Sequence, residues 1–378
     1  MCRRSLSQLT GESGSTTPPG RSQSGTRTTT PGLSGYRRGG PRSSMPTRRD
    51  VVVAASVGVA VAGTERLPRA LAQAVEKPLL SKPAHIIVGF AAGGGTDLTA
   101  RILADALHGA YASTFIVEDK PGAAARVAVE YVKNAEPDGS VMLLTPDFPI
   151  TVYPYSFRSL TYDPVRDFRP VTSVTKSMLT FNIGPAVQAN ITTLRGFVDW
   201  CRANPSEAAY ATTAAGGTPH FVGVMLANEA KVAMTPVHYR GGAPALTDLI
   251  GGHVSASVNP VSEILQLSKS GTVRTLAVTG SQRSVFLPGV PTMLEAGFNV
   301  IVDSWTGMFL PAKTPEHIVD ALNAAIGRAV LSAQVVENLT NSGNAPATAS
   351  PAQFAATIKA DLQRWGPVVK ASGFVADD

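Results

Sequence analysis

Short apolar strands alternate with helices along most of this chain, and this alternation constrains the fold more than any other feature. The run 85–90 predicts a buried strand, the glycine-rich run 91–95 a tight turn, and Thr96 or Asp97 the N-cap of a helix. The apolar face predicted for that helix consists of Leu98, Ile102, Leu103 and Leu107. Further strands are predicted at 115–118, 141–144, 209–212, 234–239, 275–278 and 308–310, and the last third of the chain is predicted to be mainly helical. Such alternation is typical of an α/β fold in which helices cover mostly parallel sheets.

The positive charge of the chain belongs to its N-terminal segment. The formal net charge is +6, but residues 1–74 carry 11 Lys and Arg against 3 Asp and Glu, whereas residues 75–378 carry 22 against 24. A nucleic-acid-binding protein needs a basic face on its folded body. We therefore expect no nucleic-acid partner.

The N-terminal segment divides into two parts. Residues 1–44 are rich in Ser, Thr, Gly, Pro and Arg, which predicts a disordered tail or a start codon assigned too early. Residues 45–74 resemble a twin-arginine export signal, with an Arg-Arg pair, an apolar run at 51–63 and small residues up to Ala74. Because the run is shorter than the roughly 18–20 residues that span a bilayer, a membrane anchor or a buried helix is kept only as the alternative. We expect export to the periplasm and cleavage near Ala74.

The chain lacks the sequence signatures of common catalytic and metal sites. There is no GxSxG, HExxH or CxxC motif and no Walker lysine, and the six histidines show no metal-ligand spacing. Cys201, on an amphipathic helix predicted at 194–203, would stand alone once the segment containing Cys2 is removed, so no intrachain disulfide is expected. We predict no catalytic residue, no metal and no cofactor. Because a triad can be assembled in space, an enzyme remains an alternative, with Asp147 and His220 as the titratable pair to consider.

Two glycine-rich turns, each leading from a strand into a helix, are the candidate binding elements. They lie at 90–97 and 212–220, about 120 residues apart. Backbone N–H groups at a helix N-terminus attract an anion, and glycine lets a ligand approach the backbone. Two such turns facing each other would hold a small anion from both sides of a cleft. The alternative is that each turn is only a tight connection.

Seven short motifs occur in order along residues 82–374. They are IVGFAAGGGTD at 87–97, PGA at 121–123, PDG at 137–139, YDPVRDF at 162–168, VHYRGGAPALTDLIGG at 237–252, PGVPT at 288–292 and SWTGMF at 304–309. Together they resemble the Bug family, the extracytoplasmic substrate-binding proteins of tripartite tricarboxylate transporters. The resemblance implies a receptor that is not an enzyme and that passes a small organic acid to membrane transporter subunits. A sensor that presents its ligand to a signalling protein is the alternative within this class.

The resemblance also implies a two-lobed periplasmic binding protein fold with two crossover segments. Crossovers near 179–181 and 303–305 make one lobe discontinuous. Lobe I would then comprise residues 77–180 plus 304–378, and lobe II residues 181–303. Family members bind small carboxylates between the lobes, so the expected ligand is a mono- or dicarboxylate, amino and hydroxy acids included.

Carried over position by position, the resemblance places ligand-binding residues in both turns. The first turn contributes Phe90, Ala91, Gly94, Gly95 and Asp97, and the second contributes Thr212, Gly216, Gly217, Thr218 and His220. Backbone amides would bind the carboxylate, whereas Asp97 would cap the helix and order the turn. Asn259, which stands where the family often has Asp, completes the set.

Asp147 is a further candidate. It follows the predicted strand 141–144 at its carboxyl end, where ligands of open α/β sheets bind. A buried ionised Asp needs a partner, and either an ammonium or hydroxyl group of the ligand or Arg126 would serve. We predict that Asp147 faces the cleft and disfavours a second ligand carboxylate there. The alternative is a solvated loop residue.

Overall fold

The structure, a computed structural model, describes residues 79–376. Its strands are β1 (Ala84–Val88), β2 (Phe115–Asp119), β3 (Val141–Pro146), β4 (Phe168–Ile183), β5 (Ala209–Thr212), β6 (Thr235–His238), β7 (Ala256–Pro260), β8 (Arg274–Val278), β9 (Asp303–Pro311) and β10 (Ala345–Pro346). Its helices are α1 (Gly95–Leu107), α2 (Arg126–Lys133), α3 (Phe148–Thr151), α4 (Tyr153–Ser156), α5 (Leu194–Ala203), α6 (Thr218–Ala230), α7 (Gly242–Ile250), α8 (Val261–Lys269), α9 (Glu316–Val330), α10 (Ala333–Asn341) and α11 (Pro351–Ser372). The predicted tail 1–44 and export signal 45–74 lie outside the described residues.

The strands form a mixed sheet system in the order β2-β1-β3-β9-β4-β7-β5-β6. The outer pairs are parallel, as the alternation of strands and helices predicts: β1 pairs with β2 and β3, and β5 pairs with β6 and β7. The central pairs, in which β4 and β9 take part, are antiparallel. Helices flank the sheets, so the predicted α/β class is confirmed.

Strand β4 is shared by two groups of strands. Its first part, Phe168–Met178, pairs with β9, and its last part, Leu179–Ile183, pairs with β7 and β8. The chain returns to the first group between Val278 and Asp303. The two connections are hydrogen-bonded to each other, because Thr279 exchanges backbone and side-chain bonds with Leu179 and Val302.

The start and the buried face of α1 differ from the prediction. The N-cap is Gly94, not Thr96 or Asp97, because Asp97 lies inside the first turn and accepts a hydrogen bond from the Gly93 amide instead. Leu98 is 41% exposed, whereas Leu103 and Leu107 are fully buried. Leu103 lies five positions after Leu98, a rotation of roughly 140° around the helix, so the two side chains cannot share one face.

Cys201 lies on α5, the amphipathic helix that the sequence predicts at 194–203, and it is buried. Burial raises the pKa of its thiol to about 12. The thiol is therefore protonated at neutral pH and unsuited to act as a nucleophile. Within residues 79–376, no single helix has the length and apolar character needed to cross a membrane; α9 and α10 pass only as a pair bent by 73°.

Three consecutive alanines have left-handed backbone conformations. The φ angles of Ala123, Ala124 and Ala125 are +43°, +55° and +71°. Ala125 also approaches Gly89 so closely that a Cβ built on Gly89 would lie 2.5 Å from the Cβ of Ala125. A left-handed alanine costs roughly 1–2 kcal/mol, because its Cβ crowds the following carbonyl oxygen. This turn is therefore a local source of strain.

We expect Ala123→Gly to raise the free energy of unfolding by about 0.5–1 kcal/mol. Glycine removes the steric cost at φ +43°, and part of that gain is offset by the greater entropy of the unfolded chain. Chemical denaturation measures the difference. The matched control is Ala356→Gly on the exposed face of α11, which should lower stability by about 1 kcal/mol. A loss of stability in Ala123→Gly would contradict the strain argument.

Candidate functional site

Both glycine turns border one cavity. It encloses about 630 Å³, including its open mouth. The first turn contributes Phe90, Gly94, Gly95 and Thr96, and the second contributes Thr213, Thr218 and Pro219. The cavity lies at the carboxyl ends of β1, β3 and β5, the edge of a parallel sheet at which ligands bind. The N-termini of α1 and α6 therefore border the same space.

The first turn is held by internal hydrogen bonds. Gly93 has a φ of +81°, and its amide donates to Asp97 Oδ2 at 2.8 Å. Asp97 is buried and also pairs with Arg101 at 2.8 Å. The Gly94 amide donates to the carbonyl of Ala91 at 3.3 Å. Asp97 thus orders the turn, as expected from the sequence.

The second turn is built in a similar way, with a histidine in place of the aspartate. Gly216 has a φ of +66°, and its amide donates to His220 Nδ1 at 3.2 Å. The His220 ring packs edge-on to Phe374 at 4.4 Å. Burial and the neighbouring His238 lower the pKa of His220 to about 3, so the ring is neutral. His220 shapes the turn from behind and does not line the cavity.

Asp147 lies in the wall of the cavity and is buried. Its Oδ2 accepts a hydrogen bond from Thr218 Oγ1 at 2.8 Å, and its Oδ1 accepts one from Ser304 Oγ at 2.8 Å. Thr218 begins α6, next to the second glycine turn, and Ser304 lies on β9. Burial raises the pKa of Asp147 to about 6, although both hydroxyl bonds lower it. Arg126 was the candidate partner for Asp147 within the chain, and its guanidinium lies over the Phe157 ring at 4.2 Å.

Asn259 is bonded to an acid that the sequence did not identify as part of the site. Its Nδ2 donates to Glu263 Oε2 at 2.9 Å, and the Gly95 amide donates to Glu263 Oε1 at 3.4 Å. Burial raises the pKa of Glu263. An acid in the first turn of a helix is ordinary, because it interacts well with the helix dipole. Its place in α8 therefore gave no sign that Glu263 reaches the first glycine turn.

The structure brings only part of the predicted set onto the cavity wall. Phe90, Gly94, Gly95, Asp147 and Thr218 line it. The others are not among the residues that line it: Ala91, Asp97, Thr212, Gly216, Gly217, His220 and Asn259. Ligand contact by any of these residues stays a prediction. Among residues 79–376, no group of three or more His, Cys, Asp or Glu side chains is arranged to hold a metal ion.

The sequence and fold are similar to those of known proteins. Residues 99–374 match the family described as "Tripartite tricarboxylate transporter family receptor" (TctC). Protein BugT of Bordetella pertussis is 32% identical over 295 residues, which cover 78% of this chain and 90% of that protein. The structure of the periplasmic binding protein BugD superimposes with a TM-score of 0.73 at 28% identity, covering 78% of this chain and 99% of BugD. MatC from Rhodopseudomonas palustris, with bound malate, gives a TM-score of 0.71 at 28% identity, covering 76% and 98%.

We expect Asp147→Asn to change how stability depends on pH. An unfolded Asp loses its proton near pH 4, whereas folded Asp147 keeps it up to about pH 6. The folded state therefore binds more protons in this interval, and the wild-type free energy of unfolding falls as pH rises from about 4 to 6. The variant has no carboxyl group at this position. By pH 7, the free energy of unfolding of the wild type should therefore have fallen by up to about 3 kcal/mol relative to that of the variant.

Urea denaturation at half-unit steps from pH 4 to pH 7 measures this difference. Asp105→Asn, at an exposed position on α1, is the control and should follow the wild type at every pH. Parallel curves for the wild type and Asp147→Asn would show that Asp147 titrates normally.

Proposed function

This chain belongs to the tripartite tricarboxylate transporter receptor family, and on that basis we propose that it captures a small organic acid and delivers it to a membrane transporter. The observation that carries the proposal is the cavity bordered by both glycine turns. The helix dipoles of α1 and α6 favour an anion at this place. The malate held by the similar protein MatC supports a carboxylate as the ligand.

The proposed cleft lies between lobe I, residues 77–180 plus 304–378, and lobe II, residues 181–303. The change of pairing partner within β4 at Met178 and Leu179 supports the first boundary. The hydrogen bonds that join the proposed lobes include those of Asp147 with Thr218, Ser156 with the carbonyl of Gly216, and Gly95 with Glu263. We interpret this arrangement as the closed form, which a ligand enters after these contacts open.

The family relationship favours a receptor over an enzyme. An enzyme on this scaffold would need a titratable pair in the cleft, and Asp147 with His220 was the candidate. Because His220 accepts from the Gly216 amide and has a pKa lowered to about 3, it is a poor base at neutral pH. The structure therefore offers this pair little support.

We expect Gly217→Val to weaken carboxylate binding by at least about tenfold. A Cβ on Gly217 would lie 3.0 Å from Phe148 Cδ2, so a branched side chain would separate the second turn from the opposite wall. The loss of one hydrogen bond to a carboxylate already costs about tenfold or more in affinity. The φ of Gly217 is −91°, so the substitution causes no left-handed strain and the variant should fold.

Calorimetric titration of the purified protein with small mono- and dicarboxylates measures this effect. Gly289→Val is the control, because a Cβ at Gly289 meets nothing within 4 Å. If the wild type binds no carboxylate in the panel, the proposed function is wrong. If Gly217→Val binds as tightly as the wild type, the ligand lies elsewhere.

We propose that the segment 45–74 directs export to the periplasm, with cleavage near Ala74. Export by the twin-arginine route requires both arginines, so changing Arg48 and Arg49 to Lys should leave the precursor in the cytoplasm. Cell fractionation and N-terminal sequencing measure the outcome, with Arg37 and Arg38 changed to Lys as the control pair. Unimpaired export of the first variant would exclude the twin-arginine route.

A further inference from the structure

We propose that Glu263 makes this cleft select ligands that carry a protonated amine beside their carboxylate, in preference to plain dicarboxylates. The inference rests on the proposed function, because it specifies the ligand of the same cavity. It makes Glu263 a residue that determines specificity, and amino acids the expected class of ligand.

The carboxylate of Glu263 lies at the first glycine turn, in the place that a ligand carboxylate would otherwise take. Its side chain is half-buried, lines the cavity and bonds to the Gly95 amide. A Cβ on Gly242 would lie 1.9 Å from Glu263 Oε2, so the glycine at the start of α7 leaves room for this carboxylate. With Gly93 bonded to Asp97 and Gly94 bonded to Ala91, every glycine amide of the turn has a partner within the chain. A ligand carboxylate at the first turn therefore meets amides that already have partners and a negative neighbour, which leaves the N-terminus of α6 at the second turn as its place.

Asn259 independently indicates that the ligand has a hydrogen-bond donor beside Glu263. An ionised Glu263 only accepts hydrogen bonds, so the Asn259 amide must turn its NH₂ group toward it. That orientation leaves Asn259 Oδ1 buried and without a hydrogen-bond partner among the described residues. An unpaired buried acceptor is costly. A ligand ammonium group, which has three donors, can bond to Glu263 and to Asn259 Oδ1 together.

The charges around the cavity favour the same ligand. Asp147 and Glu263 line it, and none of its described lining residues is Lys or Arg. Both acids accept two hydrogen bonds, but among the described residues only Glu263 has an unpaired acceptor beside it, Asn259 Oδ1, which makes it the acid better able to hold a cation. A plain dicarboxylate would bring two further negative charges into this low-dielectric space. An adjoining cavity, which shares Phe90 and Thr213 with this one, has Arg240 in its wall.

Matched ligands test the inference by calorimetric titration of the purified protein. Succinate, malate and aspartate differ only in hydrogen, hydroxyl or ammonium at one carbon, and 4-aminobutyrate replaces one carboxylate of glutarate by an ammonium group. We expect at least one amino ligand to bind about tenfold or more tightly than its plain counterpart. E263Q should reduce that preference by about tenfold or more, because the amide keeps the shape and loses the charge. Glu337→Gln, on the exposed face of α10, should leave it unchanged.

Two results would overturn the inference while leaving the proposed function intact. One is wild-type protein that binds the plain acids as tightly as the amino ligands in both series. The other is a preference for amino ligands that survives E263Q undiminished. If E263Q does not fold, the wild-type ranking decides alone. Binding of no ligand in either series would overturn the proposed function, and the inference with it.

Discussion

One strand, β4, determines how the rest of the chain is arranged. Because Phe168–Ile183 pairs with β9 along its first part and with β7 and β8 along its last part, both groups of strands are fixed to a single piece of backbone. The carboxyl ends of β1, β3 and β5 consequently border one space. The two glycine turns follow β1 and β5, so their approach to each other is a result of topology and not of any attraction between them.

Negative groups, and not positive ones, organise this space. Asp97 orders the first turn, Glu263 accepts from its last glycine, and Asp147 accepts from hydroxyl groups on two other elements. Asp147 and Glu263 are held by neutral donors, whereas Asp97 also pairs with Arg101 at the edge of the first turn. A receptor whose cavity contains such acceptors distinguishes ligands mainly by the positions of their hydrogen-bond donors. Shape then enters through the aromatic wall, in which Phe90 meets Phe148 edge-on at 5.7 Å.

The sequence predicted what depends on local pattern. Strand β5 and helix α5 lie at the predicted residues, and the role of Asp97 in ordering its turn was inferred because its negative charge would repel a carboxylate. The buried face predicted for α1 was wrong at Leu98, because an apolar residue type does not by itself show which side of a helix is buried. Strand β4 was not predicted as one element, since Pro170 and its polar residues interrupt any regular alternation. Glu263 and Ser304 reach Gly95 and Asp147 from more than 150 positions away along the chain, and no local pattern reports such contacts.

The bonds around Thr279 have a mechanical consequence. Its hydroxyl accepts from the Leu179 amide at 3.0 Å and donates to the Val302 carbonyl at 2.6 Å, so the two connections between the proposed lobes are fastened side by side. Fastened strands cannot slide past each other, so the motion left to them is a joint bend at this point. We therefore expect the lobes to rotate about one axis through Thr279, with a single degree of freedom. Two spin-label distances measured across the cleft would then change in step, and independent changes would contradict a single axis.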